Sequence, residues 1–514
     1  MADAPHKRDL NMSTTFAPTA QQLAFLDALV NTRDHIALRA RAGCGKTSTI
    51  MLGIDAARAT NDKTRVLVCA FNSAIVKEID EKLRKAGHGF PHVQAKTAHG
   101  LGTSLLKDAY DFDTKTMLNA HKVRDLVQAQ AGSSALYGAF APQITKLVGM
   151  AKQAAVGVFG SVEDTALWYG MADHHGIELD PIAAPQIIAA AQDVYTRSCE
   201  DLTTFDFDDM ILIPLLRRLE PKWPADLVFV DEAQDLSPAR QALIGKFVKP
   251  RYGRLVIVGD DAQAIYGFAG ADAQSLANLI DQYNATVLPL SVTWRCPKAV
   301  VREAQAYVPD ITAADSAPEG LVRSADMLPD DLQPGQDAIL CRNTAPLIST
   351  AYSLIRRGIP AKVEGRDIGE GLAALARRWK VRTCAELLAR LATHETRELA
   401  KLEGKPDEEE LSEKLRDRLD TLREIIAACQ ARGQQLVTDV LSAIAALFGD
   451  DVKGAVVLAT YHKSKGREWP RVFLYEHALR CPSRAARQPW QLEQERNLAY
   501  VAITRAQREL VYVG

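Results

Sequence analysis

The chain has 514 residues, 47% of them hydrophobic and 25% charged, the composition of an ordinary globular protein with room for three or four domains of about 150 residues. Its 8 cysteines are scattered, with no Cys-x-x-Cys pair and no histidine at metal-ligand spacing, which argues against a zinc site or a disulfide framework and for a reducing cytosol. A formal net charge of -2 leaves no global field to attract nucleic acid, so such a partner requires a local basic groove.

Met1 to Thr15 is polar and mixed in charge, a loose tail without the apolar centre of a signal peptide. Apolar runs such as Met210 to Leu216 are too short for a bilayer. A soluble, cytoplasmic protein with no membrane partner is expected. Pro18 to Val30 predicts an amphipathic helix, with Leu23, Leu26, Leu29 and Val30 on one face.

The next stretch organises the rest. Ala40 to Ser48 reads Ala-Arg-Ala-Gly-Cys-Gly-Lys-Thr-Ser, after the apolar run Ile36-Ala37-Leu38 and before an apolar helix through Ile50, Met51, Leu52 and Ile54. That is the strand, loop and helix context of a phosphate-binding loop, although Ala40 stands where the strict pattern has its first glycine. Ala42, Gly43, Cys44, Gly45, Lys46, Thr47 and Ser48 would cradle the polyphosphate with backbone N–H groups. Lys46 would reach the outer phosphates, and the Thr47 hydroxyl would ligate Mg²⁺.

Arg65 to Ala70 predicts a buried strand and Ser73 to Ala86 a helix capped by Ser73 and stopped by Gly87. From about Thr103 to Asp201 strands give way to Ala-rich helical sequence, read as an inserted subdomain. Strands return at Leu227 to Val230, Leu255 to Val258 and Val287 to Leu290. A second α/β region has strands expected at Ala338 to Cys341, Ala455 to Ala459, Val472 to Tyr475 and Leu510 to Val513. Arg366 to Ala446 is again strand-poor, and its charge-dense part, Glu403 to Glu424, reads as a solvated helix face with Glu410 and Lys414 as an i,i+4 pair.

Asp231-Glu232-Ala233-Gln234-Asp235 directly follows an apolar strand. A hydrolase acting on a Mg²⁺-nucleotide needs one carboxylate on the metal, here Asp231, and a second to orient or deprotonate the attacking water, here Glu232.

With the phosphate loop before DEAQD and GDDAQAIYGFAGA (Gly259 to Ala271) after it, the chain resembles the UvrD/Rep-like branch of superfamily 1 helicases. CAFNSAIVKEI (Cys69 to Ile79), KTAHGLG (Lys96 to Gly102), LSVTWRCP (Leu290 to Pro297), TYHKSKGREWP (Thr460 to Pro470) and EQERNLAYVAITRA (Glu493 to Ala506) follow in family order.

The resemblance implies two RecA-like P-loop NTPase cores of parallel sheet flanked by helices, each with a mainly helical insertion. The first core would take 1–103 and 202–289 with its insertion at 104–201. The second would take 290–365 and 447–514, with a short insertion at 366–446.

It further implies an ATP-dependent translocase and helicase, travelling 3′ to 5′ on single-stranded DNA, hydrolysing ATP between the cores and acting at junctions of single and double strand. Gln22, with Gln21 beside it, would read adenine, Trp294 would stack on it and Glu468 would contact the ribose. Arg295 and Arg505 would reach the γ-phosphate, and Gln263 would couple that site to DNA. Phe71, Asn72, His99, Tyr266, Phe268 and His462 would line the strand's path, with Gly267 and Ala269 in place of arginines found in many relatives.

The chain stops at Gly514 just after the last expected strand, so no nuclease domain or partner-binding tail is expected. The short second insertion also supports an alternative, a DNA-stimulated regulatory ATPase that controls an unknown partner protein without productive unwinding. A nucleic-acid clamp with a dead ATP site is disfavoured by the intact Lys46, Asp231, Glu232, Arg295 and Arg505.

Overall fold

The computed structural model describes residues 17–70, 72–132, 134–175, 177–265, 274–403, 408–449 and 454–514. The chain divides into two compact units, Met1–Arg41 with Gly45–Leu290, and Ala42–Cys44 with Ser291–Gly514. The expected tail, 1–15, lies outside the described residues.

The first unit is built on six parallel strands, β1 (Ile36–Ala40), β2 (Val66–Ala70), β3 (Val93–Thr97), β4 (Leu227–Val230), β5 (Arg254–Gly259) and β6 (Thr286–Leu290), ordered β3-β2-β4-β5-β1-β6. Strands β2 and β4 are apolar throughout because helices cover both faces, and every residue of each is buried. The order places β4, β5 and β1 side by side, so the segments leaving their carboxyl ends emerge as neighbours at one edge of the sheet. In open parallel sheets that edge is where ligands bind.

The helical sequence between β3 and β4 folds as Ala98–Tyr110, Lys122–Ala131, Ala141–Gln153, Thr165–His174, Ala184–Glu200 and Asp209–Leu216, with one shorter helix. It does not pack as a separate body. Leu147, Trp168 and Val194 of these helices share one apolar cluster with Leu67, Val228 and Leu255 of the sheet.

A buried charge network ties it down. Lys152 Nζ donates to Asp209 Oδ1 (2.7 Å), Asp206 Oδ2 (2.6 Å) and Ser198 Oγ (2.8 Å), and Lys122 Nζ to Asp209 Oδ2 (2.9 Å) and the Ser198 carbonyl (2.7 Å). Buried lysines persist only when their donors are matched in this way.

The second unit opens with a short parallel pair, β7 (Val292–Thr293) and β8 (Thr312–Ala313). Its main sheet contains β9 (Leu321–Ala325), β10 (Asp337–Cys341), β11 (Ala361–Val363), β12 (Val456–Thr460), β13 (Trp469–Tyr475) and β14 (Ala506–Val513), in the order β11-β12-β10-β13-β14-β9. All pairings are parallel. Cys341 pairs with Thr460, so β10 and β12 end side by side. The insertion is helical, with Arg366–Arg377, Cys384–Ala400, Glu408–Gln430 and Val437–Phe448. Among the described residues no helix is long and apolar enough to cross a membrane.

Three expectations are corrected. The helix Ser73–Lys85 is capped by Asn72, whose Oδ1 accepts from Ile75 N–H at 2.9 Å; Ser73 is already the first helical residue. The strands at Val93–Thr97, Leu321–Ala325 and Ala361–Val363 have no counterpart in the sequence reading. All three are sheet edges, where one side meets solvent and no long apolar run is required.

The acidic run is not simply a solvated face. Asp417 accepts from Thr344 N–H and Ala345 N–H at 2.9 Å each, and Glu413 Oε1 accepts from Asn343 Nδ2 at 3.0 Å. Its carboxylates cap and anchor the segment after β10. The Glu410 side chain lies outside what is described.

Gly102 lies where two helices meet closely: a Cβ there would meet the Met210 carbonyl oxygen at 1.8 Å. Gly102→Ala must push Ala98–Tyr110 and Asp209–Leu216 apart, and a loss of about 3 kcal/mol, the upper end for overpacking, is expected in chemical denaturation. An unchanged midpoint would contradict this packing.

Candidate nucleotide and nucleic-acid site

The phosphate loop leaves β1 and turns on two glycines in the left-handed region, Gly43 (φ 71°) and Gly45 (φ 80°). Gly45 caps the helix Lys46–Thr60, so the loop's backbone donors and the helix N-terminus point the same way. Ala40 is still strand, paired with Leu290 in regular parallel register. A glycine has no conformational task at that position, which accounts for the departure from the strict pattern.

Asp231 leaves β4 next door. Burial, with the charge of Glu232 beside it, pushes its carboxyl up to about 6. Glu232 itself sits at φ 51°, a costly left-handed conformation for a non-glycine residue that turns its side chain away from the strand direction. Its Oε1 accepts from Lys46 Nζ (2.6 Å) and its Oε2 from Gln234 Nε2 (2.5 Å). Burial alone would depress the Lys46 ammonium, but the carboxylates of Glu232 and Asp231 outweigh it and hold the lysine charged, above its ordinary range.

The network continues to β5. Gln234 Oε1 accepts from Asp260 N–H (3.0 Å), and the Asp260 carboxylate accepts from Gln263 Nε2 (2.7 Å) and Arg41 Nη1 (2.9 Å). Arg41 also reaches Asp261 at 2.6 Å. Burial raises the Asp260 carboxyl, and Arg41 opposes that shift.

Lys46, Glu232, Gln234, Asp260 and Gln263 thus form one connected chain of polar contacts across three strand ends. Gln22, not Gln21, is the buried glutamine. Its Nε2 donates to Thr49 Oγ1 (2.9 Å) on the phosphate-loop helix, and a capping box with Thr19 fixes its backbone.

Thr47 and Ser48 are half-buried on the first turn of that helix, and Ala42 and Cys44 are buried in the loop. Among the described residues no group of three or more His, Cys, Asp or Glu could hold a metal. One carboxylate and one hydroxyl, Asp231 and Thr47, are the sparse oxygen donors that suit Mg²⁺ shared with substrate phosphates.

In the second unit Arg295 is ion-paired through Nε with Glu468, whose other oxygen accepts from Gln507 Nε2 at 2.9 Å. Arg505 is enclosed, with Nε on the Val501 carbonyl (2.7 Å), Nη1 on the Arg467 carbonyl (3.0 Å) and Nη2 on Thr504 Oγ1 (3.0 Å). Burial, reinforced by the nearby Arg295 charge, lowers its guanidinium to about 9. Trp294 is 56% exposed, an indole face left to solvent.

Residues 21–284 match the UvrD/REP helicase N-terminal domain, and residues 378–513 the UvrD-like helicase C-terminal domain. The chain belongs to the UvrD/REP helicase family. It is 25% identical to the ATP-dependent DNA helicase UvrD2 of Mycobacterium bovis and to that of Mycobacterium tuberculosis, over 94% of this chain and 77% of each relative. It is also 28% identical to the ATP-dependent DNA helicase PcrA of Staphylococcus aureus, over 26% of this chain and 19% of the relative. The two parallel sheets flanked by helices are the RecA-like cores of that family.

The residues expected along the DNA strand's path in this UvrD/REP helicase lie on several separate elements. Asn72 is exposed at the start of its helix, where its side chain already serves as the cap. His99 lies in the first turn of Ala98–Tyr110, edge-on to Phe207 with ring centroids 6.0 Å apart. His462 lies in the short helix Tyr461–Ser464 that follows β12. Phe71, Tyr266, Phe268, Gly267 and Ala269 fall outside the described residues.

Sequence reasoning missed Gln234, Asp260, Arg41 and Phe207. Phe207 is 51% exposed between buried Phe205 and Asp209, a solitary aromatic turned outward that periodicity alone does not flag.

Both imidazoles are held neutral. Burial, followed by Arg240, lowers His99 to about 4; burial, followed by Arg342 and nearby lysines, lowers His462 to about 3. The unfolded chain takes up these protons near the ordinary 6.5 and the folded chain only well below it. Their contribution to stability is therefore complete above pH 6.5 and is lost as pH falls toward 4. The denaturation midpoint should drop over that window, less steeply in His99→Gln; a midpoint rising with acid would contradict the burial.

Proposed function

We propose that this chain is an ATP-dependent DNA helicase that moves 3′ to 5′ along single-stranded DNA and opens duplex at junctions of single and double strand. Its membership of the UvrD/REP helicase family, and its similarity to the ATP-dependent DNA helicases UvrD2 and PcrA, support the general reading. One observation carries the coupling: the unbroken chain from Lys46 through Glu232, Gln234 and Asp260 to Gln263.

The residues divide the work as follows. The cradle from Ala42 to Ser48 binds the polyphosphate, and Lys46 leaves Glu232 for the outer phosphates. Thr47 and Asp231 would hold Mg²⁺, which when bound would supply neutralisation of charge on those phosphates. Glu232, released from Lys46, orients and deprotonates the attacking water.

Arg295 and Arg505 stabilise the γ-phosphoryl charge in the transition state. Gln22 reads the adenine edge, Trp294 stacks on its face and Glu468 meets the ribose. Gln263, through Asp260 and Gln234, reports the state of Glu232 to the strand path, where Asn72, His99, Phe207 and His462 face the DNA. Aromatic stacking there contributes about 1–3 kcal/mol per base.

The functional division follows the sequence boundaries: cores of 1–103 with 202–289 and of 290–365 with 447–514, and insertions at 104–201 and 366–446.

Steady-state ATP hydrolysis with and without single-stranded DNA tests the reading. The wild type is expected to be strongly stimulated by the strand and to unwind 3′-tailed but not 5′-tailed duplexes. Lys46→Ala should be inactive, and Glu232→Gln should retain ATP binding while turnover falls about 10²–10⁴-fold, the worth of a positioned base. A DNA-stimulated ATPase that unwinds neither tail would instead support the regulatory ATPase, and a rate indifferent to DNA would sink the coupling.

A further inference from the structure

Of the five residues from Phe205 to Asp209, Phe207 is the exposed one. Phe205, Asp206 and Asp209 are buried against a frame supplied by residues between Phe112 and Ser198. Phe205 is fixed through both its backbone and its ring. Its N–H donates to the Met117 carbonyl and its carbonyl accepts from Asn119 N–H, both at 2.8 Å, in an isolated parallel bridge. The ring stands edge-on to Phe112 with centroids 5.0 Å apart, and the Lys122 ammonium lies 5.7 Å from its centroid.

Asp206 and Asp209 are fixed twice. Each accepts the other's backbone N–H, at 2.7 Å on Asp206 Oδ1 and 3.1 Å on Asp209 Oδ2, which closes the turn that carries Phe207. Lys152 then bridges the two carboxylates, and Lys122 takes the second oxygen of Asp209. Lys122 also donates to the carbonyls of Asp201 (2.9 Å) and Thr204 (2.6 Å), so the chain leading into the turn is clipped to the same ammonium.

The two lysines and two aspartates balance in charge and are buried, Lys152 at 1% exposure and Asp209 at 0%. Replacing such a cluster by apolar residues of similar volume is often neutral or stabilising, so adhesion alone does not account for it. What the ions add is direction, since paired donors and acceptors fix the orientation of the turn that bears Phe207. The Phe207 ring meets His99 edge-on, on a helix that Gly102 lets lie directly against Met210.

We infer that Lys152 is a positioning residue for DNA binding: through Asp206 and Asp209 it holds the Phe207 ring as a preformed stacking platform for a base of single-stranded DNA. The inference rests on the proposed function for the strand and for Phe207, and adds the element that sets the ring's place. A platform already fixed in the free protein loses less freedom when a base settles on it.

Binding of the full-length protein to a fluorescent oligothymidine, followed by anisotropy without nucleotide, tests this in a double-mutant cycle. Phe207→Ala should weaken binding about five- to a hundredfold, the contribution of one stacked base. Lys152→Met, which keeps the length of the side chain and removes the ammonium, should weaken it about three- to tenfold and add nothing further in the Phe207→Ala background. Asp206→Asn, which leaves Asp209 to balance Lys152, disturbs the fold less and should show the same pattern. Lys152→Met and Asp206→Asn should bind an abasic strand of the same length as tightly as the wild type does, and keep the wild-type ATPase rate without DNA.

Each variant is compared below its own thermal midpoint. Wild-type binding of oligothymidine by Asp206→Asn would overturn the inference, whether or not Lys152→Met folds. So would a loss that persists undiminished with Phe207 already alanine, or one equally large on the abasic strand, since either marks a general structural disturbance. Wild-type binding by Phe207→Ala would instead overturn the stacking role of Phe207 on which the inference stands.

Discussion

Three carboxylates on adjacent strand ends, Asp231, Glu232 and Asp260, are the constraint around which the first unit is arranged. At 5% and 0% exposure, Asp231 and Asp260 cannot carry charge in isolation, and both are displaced upward by burial. Two cations from the phosphate loop answer them: Lys46 on Glu232 and Arg41 on Asp260. The loop is therefore attached to β4 and β5 by charge as well as by the sheet. A ligand that draws Lys46 away leaves Glu232 without its principal counter-charge. The site is internally neutralised, and under the proposed function an anionic substrate would exchange one partner of Lys46 for another.

That exchange explains the positions of Gln234 and Gln263. A neutral amide can donate to one carboxylate while accepting from the backbone N–H of the next, as Gln234 does between Glu232 and Asp260. It joins the two carboxylates without adding charge to a crowded acidic edge. A charged residue at either glutamine would have to be neutralised in turn. The left-handed backbone of Glu232 is a local cost that gains meaning in this setting, since it directs the carboxylate toward both Lys46 and Gln234.

Much of this was legible beforehand, for a physical reason. The phosphate loop, β1, β2, β4, β5 and the acidic turn after β4 combine long apolar runs with fixed chemistry, and both leave strong local patterns. Edge strands β3, β9 and β11 do not, because solvent accepts their polar faces. Asp260 and Arg41 were passed over since their roles lie in a pairing 219 residues apart along the chain, which no window reveals. The acidic run from Glu403 was misjudged for a related reason: composition counts charges, but the helix sorts them by face, and Glu413 and Asp417 turn inward to bind backbone and amide groups after β10.

The same sorting bears on how a compact insertion can substitute for a large one. An 81-residue segment such as 366–446 offers little surface of its own, and an acidic helix would repel a nucleic acid if its carboxylates faced outward. Spending Glu409, Glu413 and Asp417 on Arg487, Asn343 and the N-terminus of Ala345–Arg356 removes that repulsion and locks the helix in place. Glu409, Glu413 and Asp417 recur every four residues, so one face of the helix carries the whole attachment.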